Sequence, residues 1–230
     1  MERKGDALTV LRTKCLTAME RNQCDLAVAS EGSFGPHPEL FFVPSDEELM
    51  ILIDRKNNLE IKARLVSLDT NFTGRFVRTD EELRAFLRSV QFPGHAVILR
   101  KNRDESADIF KGITDEVAAI RLFGLLREKY GEAFAETDMR AMHNPTRIKL
   151  IGQLTEKLVR LAQCLCPSCG RPGFDVIEVV PGLPCERCFM PTRAALEYIY
   201  QCAGCLYTEK KLYPGKARFQ NPMYCDYCNP

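Results

Sequence analysis

Eight of the eleven cysteines in this 230-residue chain fall into four Cys-x-x-Cys pairs: Cys166/Cys169, Cys185/Cys188, Cys202/Cys205 and Cys225/Cys228. A pair at this spacing offers two sulfurs to one metal ion, so eight thiolates suit two tetrahedral zinc centres. Fifteen residues separate the first pair from the second, thirteen the second from the third, and nineteen the third from the fourth. The first and last gaps match a four-cysteine site made from neighbouring pairs, which predicts two sites closed in sequence order. A crossed arrangement, first pair with third and second with fourth, is the alternative. Four thiolates leave the metal no open position, so such zinc is structural rather than catalytic.

Two polar stretches upstream carry other chemistry. Ser30-Glu31-Gly32-Ser33-Phe34-Gly35-Pro36-His37-Pro38 follows the apolar run Leu26–Ala29. Two glycines and two prolines in nine residues predict a loop at a strand end, where α/β sheets place ligands. Ser30, Gly32 and Ser33 suit phosphate oxygens, and Glu31 suits a metal ion or a proton. The second stretch, Glu136–Arg147, gathers Asp138, Arg140, His143, Asn144 and Arg147 at a helix start, a favourable place for an anion. In this reading Glu31 and Asp138 hold Mg²⁺ or Mn²⁺, Arg140 and Arg147 hold phosphate, and His143 moves a proton. That would be a phosphohydrolase-like or pyrophosphatase-like activity on a small phosphorylated or nucleotide-like ligand. The competing reading of both stretches is structural, a turn and an N-cap with solvated charges. No Walker A, Rossmann glycine fingerprint, HExxH or serine-hydrolase elbow is present.

These groups need elements to hold them. Helical spacing of Leu8, Leu11, Cys15, Leu16 and Met19 predicts a helix over 6–22. Glu48–Asp54 and Leu59–Leu68 read as a hairpin turning at Lys56-Asn57-Asn58. Thr79 and Glu82 form a capping box before a helix that Pro93-Gly94 stops, and His95–Leu99 is a buried strand. Asp108–Thr114 reads as a loop. Thr114 is expected to cap a helix that buries Val117, Ile120, Leu122 and Leu125. Ala133–Ala135 is a short strand. Asn144 and Pro145 open a long helix with Leu150, Ile151, Leu154, Leu158 and Leu161 on its buried face. Alternating helices and strands predict an α/β fold over 1–163, a mixed sheet layered with helices. Residues 164–230 form a small tandem zinc-ribbon module, with Phe174–Val180, Tyr207–Leu212 and Ala217–Gln220 as strands.

Composition excludes several classes. The chain is 45% hydrophobic and 27% charged with a net charge of +1, which suits a globular protein without the basic face of a general nucleic-acid binder. The longest apolar runs are too short to span a bilayer, and no secretory h-region opens the chain, so a cytoplasmic location with metal-bound thiols is expected. The alternative function is non-enzymatic, the ribbons recognising nucleic acid or a protein partner. Its basis is the run Tyr207, Lys210, Lys211, Tyr213, Lys216, Arg218, Phe219 and Tyr224, which interleaves bases with aromatics.

The loop Ala29–Pro38, together with Glu136–Arg140, Asn144–Arg147 and the four-pair tail, resembles an uncharacterised bacterial family over nearly the whole chain. That resemblance implies an α/β region followed by a cysteine-rich tail, and implies no activity. Members start further upstream, so this copy is expected to be shortened at its N-terminus. A distant similarity, at the level of fold, is to house-cleaning nucleoside triphosphate pyrophosphatases, with Arg12 and Lys14 on the helix before the acidic glycine stretch.

Overall fold

The computed structural model describes residues 6–103 and 107–230. In chain order the elements are α1 (Ala7–Asn22), β1 (Leu26–Pro36), β2 (Pro44–Asp54), β3 (Leu59–Ser67), β4 (Gly74–Val77) and α2 (Asp80–Ser89). There follow β5 (Val97–Arg100), β6 (Ile109–Ile113), α3 (Glu116–Tyr130), β7 (Ala133–Thr137) and α4 (Pro145–Gln163). The tail adds β8 (Phe174–Pro181), β9 (Ala195–Cys202) and β10 (Thr208–Leu212). Three sheets result, with strand orders β1-β2-β3, β4-β7-β5-β6 and β10-β9-β8. The four-stranded sheet is antiparallel throughout, including the non-consecutive pairs β4–β7 and β5–β7, so the expected mixed α/β class is realised with antiparallel sheets.

The chain divides into two compact units, each assembled from separated segments. The first comprises Met1–Leu11, Ala29–Met50 and Ala63–Glu156; the second Arg12–Val28, Ile51–Lys62 and Lys157–Pro230. Among the described residues no helix is long and apolar enough to cross a membrane.

In the first unit the four-stranded sheet alternates by face. Val97 and Leu99 of β5 and Ala133 and Ala135 of β7 join Leu83, Phe86, Leu87, Phe123 and Leu126 in one buried core. The opposite face of the sheet carries Phe76 edge-on to Phe134, and Arg100 paired with Glu136 at 3.1 Å. Glu82 N donates to Thr79 Oγ1, as the capping-box pattern requires, while the Glu82 carboxylate accepts from Arg78 N.

Four expectations need correction. The glycine-rich stretch is strand rather than loop: β1 runs through to Pro36. It is an edge strand, where a proline lacking N–H breaks no ladder. Residues 109–113 are also strand, at the edge of the second sheet. The register there slips by one residue between Val97 and Leu99, and Gly112, at φ +70°, supplies the bulge. Helix α3 is capped by Asp115, whose Oδ1 accepts from Ala118 N at 2.8 Å, and not by Thr114. Its buried stripe is Ala119, Phe123 and Leu126, leaving Val117 76% exposed. Burying Phe123, the largest apolar side chain on the helix, fixes that phase. In the tail, β9 is the central strand and was not anticipated, whereas of Ala217–Gln220 only Gln220 bridges, to Cys185.

The cap assignment is testable by urea denaturation. Asp115→Ala is expected to cost about 1 kcal/mol and Thr114→Ala less than about 0.5 kcal/mol. Equal costs would contradict it.

Candidate functional site

Each Cys-x-x-Cys pair sits on a tight turn, and the four turns repeat one hydrogen bond. The residue following the second cysteine donates its N–H to the carbonyl of the first: Gly170 to Cys166, Phe189 to Cys185, Leu206 to Cys202 and Asn229 to Cys225, at 2.8–3.0 Å. Gly170, Phe189 and Leu206 accordingly take left-handed backbone angles, φ +70°, +59° and +62°. That conformation costs a phenylalanine or leucine on the order of 1–2 kcal/mol, so something must hold the turn shut. The sulfurs supply it in two groups, Cys166/Cys169/Cys202/Cys205 and Cys185/Cys188/Cys225/Cys228.

The pairing expected from sequence order is therefore replaced by the crossed one. Across the first group, sulfurs lie 3.7 Å (Cys166–Cys205) and 3.6 Å (Cys169–Cys202) apart; across the second, 3.9 Å (Cys185–Cys228) and 3.6 Å (Cys188–Cys225). Thiolates about 2.3 Å from a tetrahedral zinc ion lie about 3.8 Å from one another, whereas a disulfide needs about 2.05 Å. Both groups thus fit a tetrathiolate metal centre and exclude disulfides. Backbone amides of Gly204 and Cys205 point at Cys202 Sγ, and that of Arg187 at Cys185 Sγ, which stabilises thiolate charge.

A second constellation lies in the first unit, where β7 ends. Asp138 is fully buried. Its Oδ1 accepts from Arg140 Nε at 2.9 Å, and its Oδ2 accepts from an Arg140 guanidinium nitrogen at 2.6 Å and from Gly112 N at 2.9 Å. Burial would raise the Asp138 carboxyl, but the bonds from Arg140 and Gly112 outweigh it and hold it below the ordinary carboxylate range. Arg140 itself stays 45% exposed, so the buried acid aims a cation outward. His143 joins it. A Cβ on Gly112 would fall 2.9 Å from His143 Nε2 and 3.2 Å from the Arg140 guanidinium, so the bulge glycine lets both approach.

Next to this lies a buried acid pair that the sequence reading passed over. Asp46 and Glu48 alternate on β2 and are both buried. Arg147 Nε donates to Glu48 Oε1 at 2.5 Å, its Nη1 donates to the Met139 carbonyl at 2.6 Å, and its guanidinium lies 5.0 Å from the Phe34 ring centre. A Cβ on Gly32 would overlap both Glu48 and Arg147, which explains the glycine. One guanidinium faces two carboxylates, and Asp46 Oδ1 and Glu48 Oε2 lack partners. A proton on Asp46, donated to Glu48, satisfies both atoms and balances the charge. Burial and the Glu48 charge push Asp46 up to about 7, against the pull of Arg147.

Residues 14–230 match the model of a family described as a domain of unknown function, DUF6671. The chain belongs to that family. No curated protein and no solved structure matches it.

In this DUF6671 chain the residues singled out from sequence separate as follows. Asp138, Arg140 and His143 come together, and Arg147 and Gly32 meet at Glu48. Asn144 is buried: its Oδ1 accepts from Arg147 N at 3.0 Å, capping α4, and its Nδ2 donates to Asn71 at 2.8 Å. Alternation along β1 puts Ser30, Gly32 and Phe34 on one face and Glu31 and Ser33 on the other. The signal for the missed pair was the period-two series Asp46, Glu48, Met50, all buried.

The raised Asp46 value carries a pH prediction. The protonated form is favoured in the fold while the unfolded carboxyl titrates near 3.8, so stability falls as pH climbs towards about 7 and is flat above. Asp46→Asn mimics the protonated acid. The variant should match the parent near pH 4 and exceed it by about 1–3 kcal/mol at pH 8, measured by denaturant unfolding at both values. A difference independent of pH would contradict the shared proton.

Proposed function

We propose that the first unit binds a small phosphorylated ligand through Arg140 and His143, and that the two cysteine centres hold structural zinc. The observation that carries the ligand reading is the buried Asp138 clamp. A guanidinium has five N–H donors, and the bidentate pair leaves an outer edge oriented towards solvent beside an imidazole. The Gly112 bulge brings both side chains to one place, so the donors converge on a single point. The same bonding supports Asp138 as a positioning residue for Arg140 rather than a ligand of Mg²⁺ or Mn²⁺, because Arg140 and Gly112 already engage both its oxygens. Arg147, tied to Glu48 and to the Met139 carbonyl, serves as scaffold. The reading is therefore recognition of a phosphate group, with hydrolysis left out.

The tail supports a protein partner over nucleic acid. Each zinc ion with four thiolates carries a net charge of about −2, which outweighs the slight basic excess of residues 164–230. Part of the basic-aromatic run is engaged internally: Lys210 pairs with Glu197 at 3.3 Å, Arg218 lies 4.5 Å from the Tyr213 ring centre, and Phe219 meets Phe189 edge-on. Large exposed side chains instead surround the second centre, among them Phe189, Met223, Tyr224 and Tyr227.

Calorimetry with inorganic phosphate and ribose 5-phosphate tests the ligand reading. Arg140→Lys, which keeps the charge beside Asp138 but loses the fork, and His143→Asn should each weaken ribose 5-phosphate at least tenfold with unchanged unfolding midpoints. Absence of binding, or binding indifferent to both substitutions, would sink it.

A further inference from the structure

The β1–β2 hairpin and the segment after β3 border an open groove of about 360 Å³ lined by Phe34, Phe41, Phe42 and Phe72, with Arg103 as its one charged side chain. Phe34 and Phe72 lie 5.8 Å apart, ring centre to ring centre, and form one side. Phe41 and Phe42 are each 78% exposed, an unusual state for two adjacent phenylalanines. Their exposure is not slackness of the turn. His37 N donates to the Val43 carbonyl at 2.8 Å, Val43 N donates to the Leu40 carbonyl at 2.9 Å, and His37 Nδ1 accepts from Glu39 N and Leu40 N at 3.1 and 3.0 Å. An imidazole that accepts from two amides pins the turn that presents both rings. Such pre-ordering removes part of the entropy cost of binding. Phe34 is equally fixed, since Arg147 lies over its ring.

The contents that fit are planar and aromatic, with hydrogen-bond acceptors on the edge. Tilted and edge-on rings suit a flat π-system, and a lone arginine at the wall suits acceptor atoms on its edge. The volume lies at the lower end for small-ligand pockets. An anionic membrane surface fits less well, because Glu39 stands beside Leu40, Phe41 and Phe42 on the turn.

We propose that this groove is the base-binding half of a nucleoside-phosphate site, with Phe41 and Phe42 against the base and the Arg103 guanidinium donating to acceptor atoms on its edge. The proposal rests on the phosphate reading above for the other half: Arg147, over Phe34, also donates to the carbonyl of Met139, the neighbour of Arg140. Phe41 and Phe42 touch the ligand in this account; Arg147 and His37 only position the walls.

Calorimetry on the full chain with adenosine 5′-monophosphate, cytidine 5′-monophosphate and ribose 5-phosphate separates the two claims. The nucleotides should bind at least tenfold more tightly than ribose 5-phosphate. Phe41→Ser with Phe42→Ser, both on the surface, should erase that gain and leave ribose 5-phosphate unchanged. Arg103→Ala should weaken nucleotides several-fold. Nucleotides binding no better than ribose 5-phosphate would overturn the base pocket while leaving the phosphate reading intact. Nucleotide binding that survives the double serine change would overturn it too, as would retention of the chain on phosphatidylcholine vesicles without any preference for nucleotides. Nucleotide binding that depends on Phe41, Phe42 and Arg103 but ignores Arg140→Lys would support the pocket and remove the Arg140 reading.

Discussion

The tail of this chain depends on the interleaving of two tetrathiolate centres. The span closed by Cys166 and Cys205 contains Cys185 and Cys188, and the span closed by Cys185 and Cys228 contains Cys202 and Cys205. Neither centre can form from a local stretch, so each constrains the loop that carries half of the other. The antiparallel sheet β10-β9-β8 hangs between the turns, with Phe174 registered opposite Cys202. The apolar cluster at the first centre is small, Cys166, Phe174 and Cys202 with Tyr200 against them. A metal ion held there would supply part of the folding free energy, including the cost of holding Phe189 and Leu206 left-handed.

In the first unit the corresponding constraint is buried charge. Asp138 and Glu48 are each fully buried, and each is answered by one arginine. Removing either partner would strand a charge in low dielectric, at a cost of about 3–5 kcal/mol. The same constraint dictates two glycines. Gly112 leaves room for His143 and Arg140, and Gly32 leaves room for Glu48 and Arg147, so residues that look like loop punctuation in sequence are close-approach positions in two edge strands. Function is inferred from the difference between these clamps. The Glu48 pair is sealed, whereas the Asp138 pair presents its cation.

Legibility in the sequence followed chemistry more than geometry. The cysteine ligands were evident because the thiolate pair at fixed spacing is itself the chemistry. Their pairing was not, since the gaps of fifteen and nineteen residues each allow a neighbour to close the site, and only three-dimensional placement chooses. The Asn144–Pro145 helix start and the Thr79 cap were readable because capping is local. Strand extent at β1 and β6 was not, because proline and glycine carry opposite meanings at a sheet edge and in a loop. Asp46 and Glu48 were overlooked for a related reason: carboxylates at a strand start are ordinarily solvated, and only an arginine 99 residues from Glu48 changes that. The phase of α3 turned on one bulky ring, which counting apolar positions weights too little.

The crossed pairing is tested most directly by cadmium-113 NMR of the metal-exchanged chain. Scalar coupling through the metal–sulfur bond correlates each cadmium nucleus with the β protons of its own cysteines. The account predicts two cadmium resonances, one correlated with Cys166, Cys169, Cys202 and Cys205 and the other with Cys185, Cys188, Cys225 and Cys228. A single nucleus correlated with both Cys166 and Cys185 would contradict it.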